Sequence, residues 1–176
     1  LAGFVSLVSS SSAIACSVAP PPLPPPQTAE ESDAQYERRA AEFRRVQIAE
    51  DRARFLKFRI DRENELWETS KHVFLARLIR SNRGEVRSRG GFEITVTLQP
   101  TQWFKGEGSN SRFRLKPISF SSCDYPGNGT AIDGNKGDQF LVFAGSGKPN
   151  TRTVIYTYRL TELVSERSKK MIAQRH

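Results

Sequence analysis

At 176 residues the chain has room for one ordinary domain with appendages. Its 37% hydrophobic content is low, and its net charge is +8 with a pI near 9.9. It has only two histidines, His72 and the last residue His176, and no His/Cys/Asp cluster at metal spacing, glycine-rich phosphate loop or nucleophile with an evident base. This pattern points away from an enzyme and calls for no cofactor.

The basic balance suits a polyanion such as nucleic acid, an anionic lipid surface or a sulfated polysaccharide, and it equally keeps a chain soluble. Apolar residues are placed unevenly. His72 to Leu160 is rich in Val, Ile, Phe and Leu, whereas residues 17–65 are mostly proline or charge, so the core belongs to the second half.

Leu1 to Val8 is an apolar run, followed by Ser9 to Ser12 and by Ala13-Ile14-Ala15 directly before Cys16. An h-region followed by a small-x-small pattern reads as the back half of a secretory signal over residues 1–15. The run is too short to cross a bilayer. Cleavage after Ala15 would make Cys16 the first residue. Cys16 would then either carry a lipid, which would tether the protein to a membrane, or pair with Cys123. Export to an oxidising compartment favours the disulfide. The expected location is secreted or periplasmic, with a membrane-anchored lipoprotein as the alternative.

Residues 16–27 form a Cys/Pro-rich segment, and its prolines between Pro20 and Pro26 predict a stiff polyproline spacer. From Thr28 to Arg83 there is neither Gly nor Pro. Thr28 with Glu31, and Ser32 with Gln35, both offer capping-box starts. Apolar residues recur at Tyr36, Ala40, Phe43, Val46, Ala49, Ala53, Leu56 and Ile60, a spacing that predicts one long amphipathic helix over 28–70. Phe55 and Phe58 widen its apolar surface. Such a helix is longer than the domain it precedes. It must pack only its C-terminal half there or pair with another helix, for instance in a homodimer, although Ala and Tyr make a weak seam. An envelope or assembly protein that binds through this helix is therefore an alternative function.

Residues 71–176 predict a five-stranded barrel with a C-terminal helix, in a mainly β fold. The strands are expected at His72–Ile79, at Gly91–Leu98 extended by Gln102–Phe104, at Arg112–Ile118, at Gln139–Phe143 and at Val154–Leu160. In the fifth, Val154, Tyr156 and Tyr158 share one side. Gly/Asn-rich connections and the need to close the edges suggest an OB-type barrel. Thr161–Gln174 predicts the closing helix. Trp103, Phe104, Lys105, Arg112, Arg114 and Lys116 form a candidate aromatic and basic face for a polyanion. Asp124, Asp133 and Asp138 lie in a Gly/Asn-rich loop that turn chemistry explains better than cation binding. Asn128-Gly129-Thr130 is a glycosylation sequon.

The ordered set Cys16-Ser17, Val73-Phe74-Leu75-Ala76-Arg77, Phe104-Lys105-Gly106, Cys123-Asp124-Tyr125 and Gly137 to Phe143 resembles the netrin-like OB-fold superfamily. More specifically, it is similar to bacterial secreted proteins that resemble tissue inhibitors of metalloproteinases. The resemblance covers about half of the chain. It implies an exported binding module in which the free α-amine and carbonyl of Cys16 chelate the zinc of a target metalloprotease. Ser17 and Val18 would then lie near the specificity pocket, and a Cys16–Cys123 bridge would hold the N-terminus rigid. Two departures stand out. The family pattern carries Cys-x-Cys and a later partner cysteine, where this chain has Cys16-Ser17-Val18 and no cysteine after Cys123, and the proline tract and long helix lengthen the N-terminal region well beyond the usual pattern.

Overall fold

The computed structural model of the protein describes residues 22–86, 91–116 and 134–174. The leader, Cys16, Ser17, Val18, Cys123, Asp124, Asp133, the sequon and His176 lie outside the described residues, as does the expected disulfide.

Helix α1 (Asp33–Thr69) runs for 37 residues, about 55 Å at the helical rise. It starts at the second predicted cap. Ser32 takes the N-cap position and its backbone N–H donates to Gln35 Oε1 at 2.9 Å. The first predicted cap closes a turn instead, with Glu31 N–H donating to the Thr28 carbonyl. The end of the proline segment does not stand away as a free spacer. Arg39 donates to the carbonyls of Pro25 and Pro26 and to both oxygens of Glu31, which draws the segment back onto its own helix.

Five strands follow: β1 (His72–Val86), β2 (Gly91–Lys105), β3 (Phe113–Leu115), β4 (Gln139–Ala144) and β5 (Val154–Arg159). All pairings are antiparallel, and the sheet order is β3-β2-β1-β4-β5. The sheet curls into a half-barrel. Phe113 from one edge strand and Val154 from the other belong to the same inner core. Lys116 N–H donates to Thr151 Oγ1 at 2.9 Å across the gap. A 3-10 turn (Leu160–Glu162) and helix α2 (Glu166–Ala173) complete the described chain.

Two apolar layers explain the continuous hydrophobic runs. Inside the curl lie Phe74, Ala76, Leu78, Val96, Leu98, Phe140 and Val142. On the outer face Leu66 and Trp67 of α1 pack on Val73, Leu75, Leu141, Phe143 and Tyr158, with Leu163 beside them. Both faces of the sheet are therefore dry along the start of β1 and most of β4, so Val73–Ala76 and Phe140–Ala144 are buried without alternation, whereas Arg77 and Gln139 are exposed.

Three expectations need correction. The third strand is shorter than predicted, ending at Leu115. The fifth strand does not carry Val154, Tyr156 and Tyr158 on one side. Phe143 pairs with Tyr156 but Ala144 pairs with Val154, so Ile155 is an extra residue and the bulge reverses the facing. Val154 enters the inner core, whereas Tyr156 and Tyr158 stack in the outer layer. The single apolar stripe of α1 also fails. Of its residues only Ala40 is buried, and the strongest burial falls on Glu63, Leu66 and Trp67 near the C-terminus. At 100° per residue, Tyr36 and Phe43 lie about 120° and 140° round the helix from Leu66, and Ala40, Ala49 and Leu56 about 80–100° from it, so none of them shares the line of Leu66.

Candidate functional site

The helix–barrel joint is built from a buried carboxylate. Glu63 is fully buried, and its two oxygens accept from the backbone N–H groups of Val164 and Ser165, each at 3.0 Å. These amides enter α2, where donors lack intrahelical partners and a negative charge is favourable. Ser165, the α2 N-cap, donates to Asn64 Oδ1 at 2.8 Å. Trp67 Nε1 donates to Ser168 Oγ at 2.9 Å. Arg167 bonds Glu68 and holds its carboxyl below the usual range. The C-terminal turns of α1 thereby fix the start of α2.

Phe104-Lys105-Gly106 secures the other side of this turn. Phe104 packs edge-on against Trp67 at 6.0 Å. Lys105 Nζ donates to the carbonyls of Trp67 and Glu68, both at 2.9 Å, placing a cation at the negative end of α1. Gly106 takes φ +70°, and a Cβ there would lie 2.3 Å from His72 Nδ1 and 2.8 Å from the Lys71 carbonyl. Trp103 points the opposite way, onto Phe74 at 4.4 Å. The predicted six-residue polyanion face is therefore not one face. Trp103 faces the inner core, Phe104 and Lys105 hold the helix, and of the six only Arg112, Arg114 and Lys116 are solvent-exposed. Successive strand residues point to opposite sides of a sheet, which separates Trp103 from Phe104.

Asp138 behaves as a turn residue. Its Oδ2 accepts from Asn135 N–H at 2.9 Å, while its backbone carbonyl accepts from Leu78 N–H at 2.8 Å. Among the described residues no group of three or more His, Cys, Asp or Glu is placed to hold a metal ion, and no helix is long and apolar enough to cross a membrane.

The surface that stands out is α1 beyond the barrel. Among the described residues the exposed large hydrophobics are Leu23, Val46, Ile48, Phe55, Leu56, Phe58 and Ile155. Five of these seven lie on one stretch of α1, a concentration that marks interaction surfaces. Where that stretch meets the barrel, Leu56 and Ile60 form one wall of an open groove of about 510 Å³, and Leu163 and Val164 form the other. Burial pushes the nearby Tyr158 phenol above its ordinary value, with Tyr156 and Glu63 adding to the effect. The Arg59 guanidinium lies 5.6 Å over its ring.

Of the residues read from sequence as functional, Cys16, Ser17, Val18 and Cys123 cannot be placed against this surface, since they lie outside the described residues. The groove went unread because Leu163 and Val164 arrive from about a hundred residues downstream. The signal present in the sequence was arginine at seven-residue spacing in α1. The chain matches no protein-family model and no curated protein.

Proposed function

We propose that the chain is a non-enzymatic, exported binding module, an OB-type barrel that carries α1 as its recognition element and engages a protein partner through it. The observation that carries this reading is the exposure of Val46, Ile48, Phe55, Leu56 and Phe58 on a helix whose last turns alone are held by the barrel, with Ile48, Phe55 and Leu56 within an arc of about 100°. A helix anchored at one end needs no exposed phenylalanines to stay folded, and uncovered apolar surface of this kind is stabilised by burial against a partner. The strand order supports the OB-type assignment, because joining edge strands β3 and β5 would close a five-stranded barrel. Zinc chelation by Cys16 rests wholly on residues outside those described, so the helix reading is the better supported one.

Photo-crosslinking tests it. A benzoylphenylalanine placed at Ile48 or Phe55 in the exporting host is expected to yield a discrete protein adduct, while the same probe at Arg77 or Arg114 on the barrel does not. Adducts from the barrel positions, with none from the helix, would overturn the reading.

A further inference from the structure

The free stretch of α1 is more specific than an apolar patch, given the reading of α1 as the recognition element. Arg45, Arg52, Arg59 and Leu66 are spaced by seven residues, close to two helical turns, so they share one line with a drift of about 20° per interval. Leu66, 1% exposed, ends that line in contact with the sheet. Ile48 and Phe55 flank the line on one side and Leu56 on the other. The line looks into the corner between helix and barrel edge, whose floor is the groove between Leu56, Ile60, Leu163 and Val164.

We propose that this corner binds an acidic amphipathic helix of a partner protein, with its apolar side chains in the groove and against Ile48 and Phe55, and its carboxylates against Arg52 and Arg45. Charge selects the occupant. Arg45, Arg52 and Arg59 line the corner, whereas Arg54 and Lys57 lie on the far side of the helix, paired with Asp51 and Asp61. Asp51 is taken by Arg54 and Glu50 accepts from Gln47. Arg45 is shared with Glu42 and Arg59 donates to the Glu162 carbonyl, whereas Arg52 has no ion pair among the described residues. At the groove rim Glu166 is already held by Lys169 at 2.8 Å.

Shape excludes a flat anionic surface. The barrel stands on the same side of α1 as the Arg line, so a bilayer would strike the barrel before reaching Arg52. A rod-like partner fits the corner. A second copy of the chain is disfavoured by its own charge. An antiparallel pair centred on Arg52 sets Arg45 opposite Arg59, and a parallel pair sets Arg52 opposite Arg52, both repulsive.

The test uses the full chain and a fluorescein-labelled peptide of about three heptads, with leucine at two positions of each heptad and glutamate on the flanks. Fluorescence anisotropy is expected to show saturable binding that weakens with salt. Arg52→Glu and Leu56→Asp are each expected to weaken it by about tenfold or more, roughly 1.4 kcal/mol. Arg114→Glu on the barrel should leave it unchanged, and a lysine-for-glutamate peptide should not bind. Both helix positions are exposed, and circular dichroism checks that the variants stay folded, with Phe55→Ser replacing either that does not. The proposal is overturned if Arg52→Glu leaves binding intact or the lysine peptide binds equally. It is also overturned if the chain instead pellets with phosphatidylglycerol vesicles through Arg52, or if sedimentation shows a dimer that Leu56→Asp disperses. Crosslinks from Ile48 and Phe55 into a partner segment that is not acidic would overturn this inference and leave the helix-binding reading standing. An absence of any helix crosslink would remove both.

Discussion

Glu63 offers the sharpest test of how the barrel holds its helices. Replacing it with glutamine keeps the shape but exchanges one acceptor oxygen for an amide donor. One of the two backbone N–H groups, at Val164 or Ser165, then faces a donor where it had a carboxylate oxygen at 3.0 Å. A hydrogen bond to a charged group contributes about 1.5–3 kcal/mol, and the site is fully buried, so no water replaces it. Glu63→Gln is therefore expected to cost about 2–4 kcal/mol. Glu63→Ala strands both amides and opens a cavity, and should cost about 3–5 kcal/mol. Guanidinium unfolding followed by Trp67 fluorescence in a Trp103→Phe background measures it, because the Trp67 indole bonds Ser168 and so reports the docking of α2. The midpoint should fall with the denaturant slope unchanged. Hydrogen exchange at the Val164 and Ser165 amides should quicken in both variants. A Glu63→Gln protein within about 0.5 kcal/mol of its parent would refute the claim that this carboxylate clamps α2.

Gly106→Ala should destabilise the protein by more than about 1 kcal/mol, since its positive φ and the nearby His72 and Lys71 atoms both oppose a Cβ. Gly137→Ala, at φ +101° with open space around it, should cost less, and thermal unfolding of the pair separates strain from collision. The Tyr158 phenol is raised in the folded state, so its neutral form contributes stability that is full below the unfolded value of about 10 and is lost as pH rises through the folded value. Tyr158→Phe should accordingly flatten the alkaline limb of a stability–pH profile, and an unchanged limb would refute it. Intact mass of the protein isolated from its native host, before and after reduction with alkylation, decides the fate of Cys16. A chain beginning at Cys16 with no thiol free until reduction is the expected result, and a diacylglyceryl increment would end the zinc-chelation reading.

The strands were legible where burial is simple. Val73–Ala76 and Phe140–Ala144 are short β-branched and aromatic runs of the kind a strand covered on both faces carries, and both are found in the middle strands of the sheet. The capping pair Ser32 and Gln35 marked the start of α1, and the caution that so long a helix would pack only partly holds, with Leu66 and Trp67 doing the packing. The facing of β5 was not legible, because the bulge at Ile155 depends on its pairing with β4 rather than on its own residues. The aromatic and basic face failed for a related reason. Trp103, Phe104 and Lys105 are adjacent in sequence, yet one faces the inner core, one the outer layer, and one the end of a helix.

Periodicity, capping and turn chemistry are properties of contiguous residues, so the five strands of the described residues, the long helix and the turn at Asp138 could all be read along the chain. What covers the outer face of the sheet depends on contacts between distant parts of the chain. Glu63 and Ser165 are 102 residues apart, and a buried carboxylate on a charged helix looks like any other solvated acid until its partners arrive. The same holds for Arg45, Arg52 and Arg59. Their spacing is written in the chain, but the corner they face exists only once α2 and the barrel edge are folded against the end of α1.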